Sequence, residues 1–266
     1  MKVLFSYVEH YLLNPSPGAR ALTYLLLVWL VSILLYQEIS QNFFANIKNP
    51  LNQYFVKYAW GWTLFPLSTL LLLYSLSRQG TMLNTKSVPI WCRLIICTVV
   101  WYSFAQVLFP LVEEATGVCE VSEHLTRREC RKEGFKWRGF DISGHCFLLT
   151  WNNLVIIEET KLVLQSLGKT KKRHPMLDVP IASIHILLCM LMLLWELMMF
   201  CTSLYFHTTL EKVLGTMCAI TPWLLLYRVV PTMMSYTPKP TYNPAPTISA
   251  IPVPGASWVL ARLCDL

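Results

Sequence analysis

Two short stretches of this chain combine residue types that do chemistry together. Gly139-Phe140-Asp141-Ile142-Ser143-Gly144-His145-Cys146-Phe147 sets an acid, a hydroxyl, a glycine and an imidazole within one short turn of chain, just before a long apolar run. Tyr205-Phe206-His207-Thr208-Thr209-Leu210-Glu211 ends the next apolar run and holds a second imidazole, with a carboxylate four residues on. Gly144 lets backbone N–H groups approach an anion closely. A helix beginning there adds unsatisfied donors and the positive end of its dipole, which receive a phosphate oxygen well. Asp141 and Ser143 are both N-cap residue types, and capping alone would explain them. Capping does not explain the imidazole of His145. In a helical segment His207 and Glu211 share a face, so the carboxylate can fix the ring tautomer and raise its nucleophilicity. Two imidazoles suit phosphoryl transfer, one as nucleophile and the other as acid for the departing oxygen. A zinc centre would draw on the same histidines with Asp141 or Glu211, but no tight His/Cys spacing supports one, so neither metal nor other cofactor is expected.

The remaining candidates are cations. Lys57 and the basic cluster from Arg127 to Arg138 can hold a multiply charged substrate. The same loop carries Glu113, Glu114, Glu120, Glu123, Glu129 and Glu133, so a solvated mixed-charge loop is the competing reading. Lys57 can equally snorkel at an interface.

Positioning these residues is a task for membrane helices. Of 266 residues 55% are hydrophobic and only 14% charged, and the apolar ones gather in blocks near the length that crosses a bilayer. Hydropathy predicts an all-α polytopic integral membrane protein with six transmembrane helices, at 21–36, 54–76, 88–112, 142–164, 181–204 and 213–230. Residues 1–20 form a cytosolic N-terminus without a continuous signal-peptide core, and 21–230 form one catalytic domain. Residues 231–266, with Pro231, Pro238, Pro240, Pro244, Pro246, Pro252 and Pro254, form a disordered cytosolic tail. The net charge of +7 lies in the connections and speaks for lipid head groups or an anionic substrate, not nucleic acid.

An even number of spans puts both termini on one side, and the Lys/Arg bias makes that side cytosolic. The loop 113–138 is then luminal, where Cys119 and Cys130 can form a disulfide. Closing so short a loop contributes on the order of 3 kcal/mol in the entropy model. With this topology Lys57, His145 and His207 fall on one face of the membrane. Glu158, Glu159 and Glu196 lie roughly 16–21 Å further in, counted at 1.5 Å per residue, a depth where acids are costly.

The run from Asn52 through Lys57 to Trp60, then Phe140-Asp141-Ile142-Ser143-Gly144-His145, then His207 with Lys212-Val213-Leu214-Gly215, resembles the fat storage-inducing transmembrane (FIT) proteins. The resemblance covers about 52–215 and implies a multi-pass endoplasmic reticulum protein needed for lipid droplet formation. It implies a lipid phosphate phosphatase-like core and a fatty acyl-CoA diphosphatase that releases acyl 4′-phosphopantetheine and adenosine 3′,5′-bisphosphate in the lumen. Ser143-Gly144-His145 then matches the phosphatase motif Pro-Ser-Gly-His with Ile142 in place of proline, and His207 matches the last motif's histidine, with Glu211 where that motif has aspartate. The Arg-Pro pair of the first phosphatase motif has no match after Lys57, and Ser203 does not begin a Ser-Arg pair. A second function stays open beside the enzyme: a non-catalytic protein that binds neutral lipids (diacylglycerol and triacylglycerol) through its apolar helices and partitions them toward droplets. The His145/His207 pair on one face favours the enzyme.

Overall fold

The computed structural model describes residues 10–11, 14–35, 43–46, 48–79, 88–121, 126–168 and 175–229. The proline-rich tail and the basic segment 169–173 lie outside the described residues. The long helices are α1 (Pro17–Leu34), α2 (Ala59–Gln79), α3 (Val88–Tyr102), α6 (Gly144–Gly168), α7 (Pro175–Tyr205) and α8 (Thr209–Leu224). Short π-helical segments precede α2 (Leu51–Val56), extend α3 (Ser103–Leu108) and continue α8 (Leu225–Val229). Between α3 and α6 lie α4 (Phe109–Ala115), β1 (Val118–Cys119), α5 (Arg127–Lys132) and β2 (Trp137–Arg138).

Helix α6 is the centre of the bundle. It packs against α1, α2, α7 and α8, and every residue from 146 to 157 is buried. A helix covered on all sides meets protein rather than lipid, so it can carry Thr150, Asn152 and Asn153 where a lipid-facing helix could not. The run from α3 to α4 is the opposite case: Ile95, Ile96, Val99, Val107 and Leu111 are exposed, the surface expected toward hydrocarbon. Helices occupy most of the described part of each of the six apolar runs. Among the described residues, four helical stretches are long and apolar enough to cross a membrane: Pro17–Leu34, Ala59–Ser77, Ile90–Ala115 and Met176–Tyr205. The runs that form α6 and α8 fall short because they carry polar residues that the bundle buries, among them Asn152, Asn153, Glu159 and Lys212.

The acids deep in the bundle are all paired. Glu159 accepts a two-pronged bond from Arg93 (2.9 and 3.0 Å) and a third bond from the Tyr227 hydroxyl at 2.9 Å. Arg228 and the Trp223 indole both donate to Glu158. Glu196 accepts from Arg20 at 3.2 Å and from the Tyr24 hydroxyl at 2.9 Å. Hydropathy alone leaves Glu196 without a role; the structure makes it the acceptor that lets α1 bury Arg20. Each carboxylate thus meets a guanidinium and an aromatic donor, the condition under which buried charge is tolerated.

The connection between α4 and α6 folds back on itself. β1 and β2 pair antiparallel, with Val118 opposite Arg138 and Cys119 opposite Trp137. Cys119 and Cys130 are joined by a disulfide. The Trp137 indole donates to the Glu113 carbonyl at 3.1 Å, and a Cβ on Gly139 would collide with that same oxygen. Three of the six basic residues pair within their own loop: Arg127 and Arg131 face Glu113, and Arg138 faces Glu120 at 2.6 Å. Thr126 and Glu129 form a capping box that starts α5, and the bonds from Thr126 hold the Glu129 carboxyl below its usual range. The loop ends with the Phe140 amide on the Thr116 hydroxyl at 2.9 Å, which delivers Asp141 to the mouth of the bundle.

Candidate active site

Three chain segments meet at that mouth: the start of α6, the end of α7 and the first turn of α8. Because α6 and α7 are consecutive and antiparallel, the first residue of one and the last of the other share an end. His145 is the second residue of α6 and is half-buried. Ser143 caps the helix: its hydroxyl accepts from the Cys146 amide at 3.3 Å, and its side chain is fully buried. Of the two cap candidates it is Ser143 that serves, which leaves Asp141 exposed and turned to other partners. A Cβ on Gly144 would meet nothing within 4 Å, so packing does not demand glycine there; its absence of side chain keeps the helix N-terminus open.

His207 is held at the start of α6, where His145 lies, by the bonds that Glu211 accepts from the Asp141 and Ser143 amides. Its Nδ1 stands 3.7 Å from Asp141 Oδ2 and 3.8 Å from Glu211 Oε2. These are ion-pair distances, longer than a hydrogen bond; two carboxylates on one side of the ring favour Nδ1–H and leave Nε2 as the free nucleophile. The helical spacing expected for His207 and Glu211 is corrected. His207 lies outside α8, with φ of 56°, a left-handed conformation that a β-carbon makes costly. Thr208 is the N-cap, and Glu211 is the third residue of α8, closing a capping box with Thr208. The two side chains meet because the chain reverses before the helix, not because they share its face.

Glu211 ties the segments together. Its Oε2 accepts from the Thr208 amide at 2.8 Å and its Oε1 from the Asp141 amide at 3.3 Å, while its own carbonyl accepts from the Ser143 amide at 3.1 Å. Gly215, one turn along, lets α8 pass against the Ser143 carbonyl, where any Cβ would collide. That contact sets how near His207 comes to His145. Lys57 is exposed, with its Nζ 5.8 Å from the Tyr58 ring centre.

Lys212 belongs to the run that carries the family resemblance, but its motif gives it no role of its own. It is fully buried beside the site, and its ammonium donates to the Ser203 carbonyl at 2.8 Å, in the last turn of α7 where carbonyls lack helical partners. Its neighbour Glu211 and the nearby Cys146 act on it electrostatically. A lysine in an apolar run directly after a site carboxylate was the signal available.

Together these features define a multi-pass membrane protein with a two-histidine polar site at one end of a helical bundle. The family model described as fat storage-inducing transmembrane protein matches residues 40–179 and 169–227, and the chain belongs to that family. It is 37% identical over 199 residues to a Xenopus tropicalis protein named acyl-coenzyme A diphosphatase FITM2, covering 71% of this chain and 73% of the relative. The Homo sapiens protein of the same name is 34% identical over 222 residues, 78% of this chain and 81% of its own length. A Drosophila melanogaster protein, also so named, is 31% identical over 220 residues, 71% of this chain and 52% of the relative. No solved structure matches.

Proposed function

We propose that this protein is a fatty acyl-CoA diphosphatase of the endoplasmic reticulum membrane that supports lipid droplet formation. The carrying observation is the placement of His145 and His207 at one end of the bundle, with Asp141 and Glu211 flanking His207 Nδ1 and Glu211 tied to the start of α6. The names of the relatives supply the substrate class. In this reading Nε2 of neutral His207 attacks the phosphorus on the pantetheine side of the diphosphate. The bond to the bridging oxygen breaks, His145 gives that oxygen a proton, and adenosine 3′,5′-bisphosphate leaves. Water then attacks the phosphohistidine with His145 as base, which frees acyl 4′-phosphopantetheine and restores His207. Asp141 and Glu211 hold the ring and stabilise its developing charge. The donors at the open N-terminus of α6 receive the equatorial oxygens, a role that arginines would otherwise take.

The lipid phosphate phosphatase-like core and six crossings belong to the same proposal, with α6 and α8 counted as spans because protein shields their polar groups. Both termini are then cytosolic and the site luminal, on the side of the Cys119–Cys130 disulfide. A glycan acceptor engineered at 122–125 is expected to be modified in microsomes; modification at 169–173 instead would invert the arrangement. Purified protein should hydrolyse oleoyl-CoA, and the His145→Ala/His207→Ala double variant should not. Full activity in that variant would remove the mechanism, and droplet formation by it would favour neutral-lipid partitioning.

A further inference from the structure

Asn152 and Asn153 are fully buried in α6, and neither the amide nitrogen nor the oxygen of either side chain has a hydrogen-bond partner among the described residues. Burying one amide in this way is costly, and two in succession on the central helix ask for an explanation. Their neighbours along α6, Leu149, Leu154, Val155 and Ile156, are fully buried apolar residues. The Asn152 position relates directly to the site. Seven residues are two helical turns, so Asn152 lies on the same face of α6 as His145, about 10 Å further into the bundle.

We propose that Asn152 and Asn153 form a subsite for the pantetheine arm of the acyl-CoA. The proposal rests on the diphosphatase reading and says how the substrate is recognised. Between its phosphate and its thioester that arm carries a hydroxyl and two secondary amides. The second amide lies about nine covalent bonds from phosphorus, roughly 11 Å at ordinary bond lengths. With the phosphorus at His207 and the arm running down the His145 face of α6, this amide arrives at the level of Asn152. A primary amide offers two N–H donors and a carbonyl acceptor, and pairs reciprocally with a secondary amide. The orphaned groups of the protein and the otherwise desolvated groups of the substrate satisfy each other. The acyl chain continues into the apolar part of the bundle. A diphosphate ester without amides leaves Asn152 and Asn153 unpaired, so the pair selects acyl-CoA over other anionic lipids.

The test compares oleoyl-CoA with the oleyl ester of 3′-phosphoadenosine 5′-diphosphate, which keeps the chain, the diphosphate and the nucleotide but lacks the arm. Both are assayed with the parent protein and with Asn152→Leu and Asn153→Leu in detergent micelles. The ratio of kcat/KM for oleoyl-CoA to that for the armless ester should fall about tenfold or more in Asn152→Leu, the size of one lost buried hydrogen bond or two. An unchanged ratio in both variants, whatever their Tm, means that the amides hold buried water only, and overturns the subsite. If the variants fail to fold, inhibition of the parent decides: S-oleoyl 4′-phosphopantetheine should bind at least tenfold tighter than oleyl phosphate, and equal inhibition overturns the proposal. A parent that turns over neither substrate overturns the diphosphatase reading itself, a result distinct from turnover without selectivity.

Discussion

His207 has φ of 56° without being glycine, and that single torsion decides what the residue can do. It turns the ring back across the mouth of the bundle, where Asp141 and Glu211 reach the same nitrogen from two segments. A left-handed residue costs on the order of 1 kcal/mol, and the capping box that follows holds it in place. His207→Ala should abolish turnover and any phosphoenzyme, while His145→Ala should slow cleavage by about 10²–10⁴-fold, the range for lost general-acid help. The rate should rise and fall with pH, because His207 must be neutral to attack and His145 protonated to donate. A pH–rate profile of kcat/KM measures this; a monotonic profile would reassign one of the two roles.

At the scale of elements, the site is the approach of α8 to the start of α6. Two glycines make opposite predictions there. Gly215→Ala drives a Cβ into the Ser143 carbonyl, so α8 must shift and His207 moves away from His145. We expect a loss of roughly 1–3 kcal/mol in stability, typical of overpacking, together with most of the activity. Gly144→Ala meets only open space, so the protein should fold with unchanged or slightly higher Tm. Its methyl group stands over the helix N-terminus, so KM for acyl-CoA should rise. Equal Tm losses in the two variants would contradict this assignment of space. Thermal melts and steady-state kinetics on the same preparations separate the two effects.

Across the whole molecule, the end of the bundle away from the histidines is tied together by buried ion pairs. Arg93 on α3 reaches Glu159 on α6, and Arg20 on α1 reaches Glu196 on α7. The first pair joins the lipid-facing α3 to the central helix, whose common apolar contacts are few. Arg93→Leu should cost about 3–5 kcal/mol, since it strands a fully buried carboxylate. Arg93→Leu/Glu159→Leu should recover much of that loss, because two apolar side chains replace two desolvated charges. Thermal stability in micelles checks the cycle; additive losses would mean that the two residues act independently.

The helical class, the placement of the apolar runs and the two histidine stretches were legible in the chain, because each is a local property: hydropathy accumulates along sequence, and a glycine and a histidine beside a helix start are neighbours before folding. Even the side of the bundle shared by His145 and His207 follows from counting helices. The tertiary structure alone decided the rest. It made α6 the central helix, which explains why an apolar run tolerates Asn152 and Asn153. It placed Glu211 by a capping box rather than a shared helical face, paired Arg127, Arg131 and Arg138 with Glu113 and Glu120, and matched Glu159 with Arg93 and Glu196 with Arg20. These partners lie far apart in sequence, 176 residues in the last case. Hydropathy scores a residue by its own transfer cost, whereas the cost of a buried charge depends on which distant side chain is folded against it.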